Sequence, residues 1–171
     1  MQDIERPNAA DAEPSVSGAG EPVTLYVKLN ARLRPMHRHE IEDALEAICA
    51  GQGWNVQVVG GGTAANEDTG EVHWCDIHLQ LASEELVPKV LELIESALAP
   101  VGSTWHVDDG EPQPFGHAEG LAPYLNGTDL PGEVYEATTV GEVFDECNRL
   151  IEGVGRVYSH WAGHTETALY L

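Results

Sequence analysis

Positive charge is what this sequence has least of. Eight Lys and Arg stand against 29 Asp and Glu in 171 residues, for a formal net charge of -21. Protonating all eight histidines still leaves the chain strongly negative. A field of that sign and size repels nucleic-acid phosphates and anionic membranes and attracts basic surfaces. The expected partner is therefore a basic protein, with neither nucleic acid nor membrane. Long apolar runs are missing as well: no stretch of about 18 apolar residues is present, so no membrane span is expected. Residues 1–21 have no basic n-region and no apolar h-region, so they do not read as a signal peptide. The three cysteines, Cys49, Cys75 and Cys147, are odd in number and form no CxxC pair. A disulfide framework is not expected from them; a reducing cytoplasm fits better.

Catalytic signatures are equally scarce. There is no GxSxG elbow and no HExxH. Gly60-Gly61-Gly62-Thr63 follows a strand pattern, but neither the lysine nor the helix of a phosphate loop comes after it. Histidines occur in small groups (His37 with His39; His73 and His78 around Cys75; His160 with His164). None of these groups has the three or four convergent ligands that zinc requires. No catalytic residue, no metal and no cofactor are expected.

What is present is periodicity. Residues 1–21 are an acidic lead-in rich in Ala, Pro, Gly and Ser, expected to be disordered. From Thr24 to Leu33 apolar residues alternate with polar ones, the pattern of a strand with one buried face. Pro35 can open a helix, whose stripe is Ile41, Leu45, Ile48 and Cys49. Trp54, Val56 and Val58 begin a second strand, residues 60–70 read as a loop, and Cys75, Ile77, Leu79 and Leu81 mark a third strand. Ser83 is placed to cap a helix that carries Val87, Val90, Leu91, Ile94 and Leu98. A short fourth strand spans 102–107. This β-α-β-β-α-β order resembles the ferredoxin-like fold, an α+β arrangement with helices on one face of an antiparallel-rich sheet.

Residues 108–118 read as a connector. After it come a short strand over 121–125, a loop over 130–137, a helix and two strands, a βαββ unit. Its helix has capping-box spacing at Thr139 and Glu142 and an apolar stripe of Val140, Val143, Phe144, Cys147 and Ile151. The expected organisation is a tail over 1–21, a ferredoxin-like unit over 22–108, and a C-terminal βαββ extension over 109–171 belonging to the same domain. Gly116-His117-Ala118-Glu119 and Gly163-His164-Thr165-Glu166 share the form GHxE and read as a repeated turn.

The charge is not spread evenly. Lys28, Arg32, Arg34 and Arg38 are half of all basic residues, whereas from Val90 onward 14 acidic residues face only Arg149 and Arg156. Within this acidic portion, Glu119-Gly120-Leu121-Ala122-Pro123-Tyr124-Leu125-Asn126-Gly127, Leu130-Pro131, Glu133-Val134-Tyr135 and the closing Ser159-His160-Trp161-Ala162-Gly163 and Glu166-Thr167-Ala168-Leu169-Tyr170 carry a resemblance. The chain resembles small acidic bacterial α+β proteins of the polymorphic-toxin immunity type, most closely over residues 100–171. The resemblance is at class level and brings no functional residues with it. It implies a cytoplasmic inhibitor that docks on a toxin, often a nuclease with a basic cleft. Interface anchors of that kind are aromatic with acidic neighbours. The candidates are Trp105, Asp108, Asp109 and Glu111 near the connector and Glu133, Tyr135 and Glu136 in the second loop. A second reading is a small-molecule-binding protein or enzyme with a pocket between the free sheet face and the C-terminal unit, near Tyr26, Trp74 and His78. A third is an oligomerisation module pairing through that face or the last strand.

Overall fold

A computed structural model of the chain describes residues 20–171. The expected disordered lead-in over 1–21 thus lies outside the described residues, apart from its last two positions. The protein is α+β. In chain order its elements are β1 (Val23–Leu29), α1 (Pro35–Gly51), β2 (Val56–Ala65), β3 (Val72–Leu81), a single 3-10 turn (Glu84–Leu86), α2 (Val87–Leu98), β4 (Ser103–Val107), β5 (Gln113–Phe115), β6 (Tyr124–Asn126), α3 (Gly132–Ala137), α4 (Val140–Leu150), β7 (Ser159–Ala162) and β8 (Glu166–Tyr170).

The first five strands form one antiparallel sheet in the order β2-β3-β1-β4-β5. The alternation in β1 sends Leu25, Val27 and Leu29 to one face, where they meet Ile77, Leu79 and Leu81 of β3. α1 lays Leu45 and Cys49 on this face, and α2 adds Val87, Val90 and Ile94. Each such fully buried aliphatic side chain contributes about 1.5–3 kcal/mol relative to exposure. Among the described residues, the helices packed on this sheet, α1 and α2, lie on that one face. The last three strands form a second antiparallel sheet in the order β6-β8-β7. Phe144 of α4 meets His160 of β7 edge-on at 5.7 Å.

The two sheets meet beyond the C-terminal end of β1. There Arg34 lies 3.4 Å from His160, and His37 Nδ1 lies 3.0 Å from Ser159 Oγ. Arg156 donates to the Ala97 carbonyl at 2.8 Å, and Trp161 Nε1 donates to the Thr69 carbonyl at 3.0 Å.

Several sequence expectations change. β1 ends at Leu29 rather than Leu33, because its pairing with β3 stops at Leu29–Cys75 and the Asn30 amide turns to the Ser103 hydroxyl. Ala31 and Leu33 stay buried, so the alternation marks burial without marking strand. The glycines of 60–62 lie within β2 and not in a loop. The turn comes later, where Asn66 Oδ1 accepts the Asp68 and Thr69 amides. Gly61 is required by space: a Cβ there would stand 2.6 Å from the Asp76 carbonyl oxygen and 2.8 Å from Arg38 Nη1. Beneath it Arg38 and Glu42, both buried, form an ion pair with Nε and Oε1 3.5 Å apart. Ser83 makes no side-chain cap; the 3-10 turn separates it from α2, in which Pro88 occupies a first-turn position. Within the connector, Gln113–Phe115 pairs with β4 as an edge strand, a place that tolerates Pro114. Residues 132–137 of the expected second loop are the short helix α3.

Candidate functional site

The residues expected to meet a partner do not form one surface. Trp105 lies on the helix-facing side of β4 and packs, partly buried, against the core. Asp108, Asp109 and Glu111 are exposed on the turn after β4. Asp108 has a structural role as well: at a left-handed φ of 46° its carboxylate accepts the Thr24 amide at 2.9 Å. Thr24 is at the start of β1, so this turn stands at the opposite end of the sheet from the C-terminal unit. Glu133, Tyr135 and Glu136 are exposed on α3. The Tyr135 hydroxyl accepts the Leu130 amide at 3.0 Å and ties α3 to the loop before it.

Tyr26, Trp74 and His78 do share the helix-free sheet face, as their alternation requires. Their rings are occupied by neighbours. Tyr26 stacks on His106 with centroids 4.7 Å apart and an interplanar angle of 11°, and His78 meets it edge-on at 4.8 Å. The Lys28 ammonium sits 4.2 Å from the Trp74 ring centroid. His78 also lies 3.8 Å from Asp76, and both stand beside the bare backbone of Gly60 and Gly62. On this face Tyr26 thus has His106 stacked on it and His78 meeting it at an angle.

The junction between the sheets centres on a residue that the sequence did not single out. Glu71 Oε1 accepts hydrogen bonds from the hydroxyls of Tyr124 at 2.6 Å and Tyr170 at 2.8 Å, and Arg32 Nε lies 3.9 Å away. The Tyr124 bond holds the Glu71 carboxyl below its ordinary value; partial burial opposes this, and Tyr170 and Arg32 reinforce it. Burial and the Glu71 bond push the Tyr170 phenol up. His160, also at the junction, is lowered by burial and by the nearby Arg34 and His37. A cavity of about 240 Å³ opens beside these groups, lined by Arg32, Tyr158, Tyr170 and Leu121 among others.

The C-terminal unit carries a different kind of site. A groove of about 430 Å³ runs between α3, α4, β6 and the β7–β8 turn, lined by Leu125, Leu130, Val134, Tyr135, Val140 and Val143 with Glu166. Leu130 is 44% exposed, Val134 43% and Val140 51%, so its apolar floor faces solvent. Asp129, Glu133, Glu136 and Glu142 flank these residues in the chain and are exposed. Glu142 completes the α4 capping box, in which the Thr139 hydroxyl accepts the Glu142 amide and the Glu142 carboxylate accepts the Thr139 amide. These bonds lower the Glu142 carboxyl. Both cations of the unit are engaged: Arg149 is forked onto Glu146 on α4, with Nε 2.7 Å from Oε2, and Arg156 is bound to the Ala97 carbonyl. Among the described residues, none of Asp129, Glu133, Glu136, Glu142 and Glu166 has a salt-bridge partner.

Composition pointed to the acids of this unit, but not to the groove. Its floor comes from α3, a segment whose sequence reads as a loop, and from Val140 and Val143 of the apolar stripe on α4. Among the described residues, no group of three or more His, Cys, Asp or Glu is placed to hold a metal ion. No described helix is long and apolar enough to cross a membrane. Cys49 and Cys75 are buried free thiols, and burial pushes Cys75 up to about 12, which makes it a poor nucleophile. No family model, no curated protein and no solved structure matches the chain.

Proposed function

We propose that this protein is a non-catalytic, acidic protein-binding inhibitor of the immunity type, which docks on a basic partner such as a nuclease toxin in the cytoplasm. The observation that carries the reading is the state of the C-terminal charges. Arg149 and Arg156 are both engaged within the molecule, while the carboxylates around α3 face solvent without cations. A basic cleft gains association rate from such a field and replaces the missing cations on contact. The order β2-β3-β1-β4 with α1 and α2 on one face supports a ferredoxin-like reading of the first unit, extended at one edge by β5.

The test is calorimetric titration of the full chain against the basic proteins encoded beside its gene, nuclease domains first, at about 50 and 500 mM salt. Binding that weakens steeply with salt and blocks the nuclease is the expected result. Undetectable association with all of them at low salt would remove the proposal.

A further inference from the structure

We propose that the groove between α3, α4, β6 and the β7–β8 turn receives an amphipathic cationic segment of the partner. Its apolar side chains would lie on Leu130, Val134, Val140 and Val143, and its lysines or arginines would meet Asp129, Glu133, Glu136, Glu142 and Glu166. This rests on the docking reading above and gives it a location and a partner chemistry.

Charge alone predicts a diffuse contact with any polycation. The groove adds a second requirement. Leu130, Val134 and Val140 are between 43% and 51% exposed and surround one concavity of about 430 Å³. Apolar side chains gathered at one place and bordered by charge are the composition of a contact core with its rim. Glu166 lines the groove, and the exposed Asp129, Glu133, Glu136 and Glu142 neighbour its lining residues in the chain. The cation of α4, Arg149, is held by Glu146 and does not neutralise them.

The same facts select the occupant. A second copy of this chain carries its own charge of -21, and a symmetric contact would set rim against rim. An anionic lipid surface is repelled by the same groups. A neutral apolar segment would fill the floor and leave the carboxylates without counter-charge. Only a segment that is apolar on one side and basic on the other satisfies both layers. In such helix-in-groove recognition the anchors recur at helical spacing.

The experiment titrates three synthetic peptides into the isotope-labelled full chain: a Leu/Lys amphipathic peptide, a Ser/Lys peptide of equal charge, and a Leu/Glu peptide of the same pattern. The Leu/Lys peptide is expected to bind at least about tenfold more tightly than the Ser/Lys peptide, and its amide shifts should cluster on residues 125–143 and 163–167. Val134→Ser with Val140→Ser, both at exposed positions, should abolish that advantage and leave Ser/Lys binding unchanged. Equal affinity for the two cationic peptides, shifts centred on the Asp108–Glu111 turn, binding of the Leu/Glu peptide, or self-association through the groove would each overturn the inference. If a basic protein partner still binds in those cases, the docking reading stands without the groove. If neither the peptides nor any basic partner binds, both fall.

Discussion

Glu71 and Glu42 show how two carboxylates in one molecule acquire opposite roles. Glu71 is held by two tyrosine hydroxyls, one of them on Tyr170, which is 1% exposed. Glu71→Leu leaves that buried hydroxyl without its acceptor, at a cost of about 1–3 kcal/mol. Glu71→Gln keeps an acceptor oxygen and should lose less; thermal unfolding of the two variants measures the difference. The Glu71 carboxyl is lowered in the folded protein, so its contribution is full above its unfolded value of about 4.3 and is lost as pH falls through the lowered folded value. The acid limb of the stability profile should therefore flatten in Glu71→Gln. Glu42 behaves in reverse. Burial raises it more than Arg38, His39 and the neighbouring acids alter it, so its contribution declines as pH rises from the unfolded value through the raised folded one. Removing the cation of this pair, as in Arg38→Met, leaves a buried carboxylate unpaired and should cost about 3–5 kcal/mol, whereas Arg38→Met with Glu42→Leu should be near neutral or stabilising. A denaturation series in which the double variant is the less stable would refute this account of the pair.

Among the elements, α4 is where local sequence and structure agree most fully. Thr139 and Glu142 form the capping box that their spacing predicts, and Thr139→Ala should cost about 1 kcal/mol, with faster amide exchange confined to the first turn of α4. The helix starts at Pro35 and the buried stripes of β1, β3 and α2 were legible for the same reason: each is written in a local period that one buried face enforces. What was not legible depends on distant partners. The β2 glycines have no side chains to show a period, and the need for Gly61 arises from Asp76, Arg38 and Glu42, all outside its strand. β5 is three residues long and exists because β4 offers it an edge. α3 is six residues with no buried member, so no stripe announces it. Glu71 was invisible because the tyrosines that define it come 53 and 99 positions later in the chain. Trp105 illustrates the converse: an aromatic beside acids looks like an anchor, yet its strand face turns it to the core.

At the scale of the whole molecule, charge and architecture divide the labour. The N-terminal sheet holds most of the buried core, and the C-terminal unit holds the groove. β2 adds something further. It is a ten-residue edge strand, Val-Gln-Val-Val-Gly-Gly-Gly-Thr-Ala-Ala, without one charged residue. Natural edges are protected by lysines, prolines or covering elements; here the Glu46 carboxylate accepts the Val58 amide at 2.6 Å, and the mutual repulsion of whole molecules adds to that local cover. Colloidal stability and the proposed docking thus draw on the same carboxylates. As pH approaches the isoelectric point near 4.4, that repulsion disappears while the uncharged strand stays at the sheet edge. Light scattering should rise there, and Val59→Lys, at a position 54% exposed on this edge, should suppress it. The acids to which we assign a docking role would also keep copies of the protein apart from each other.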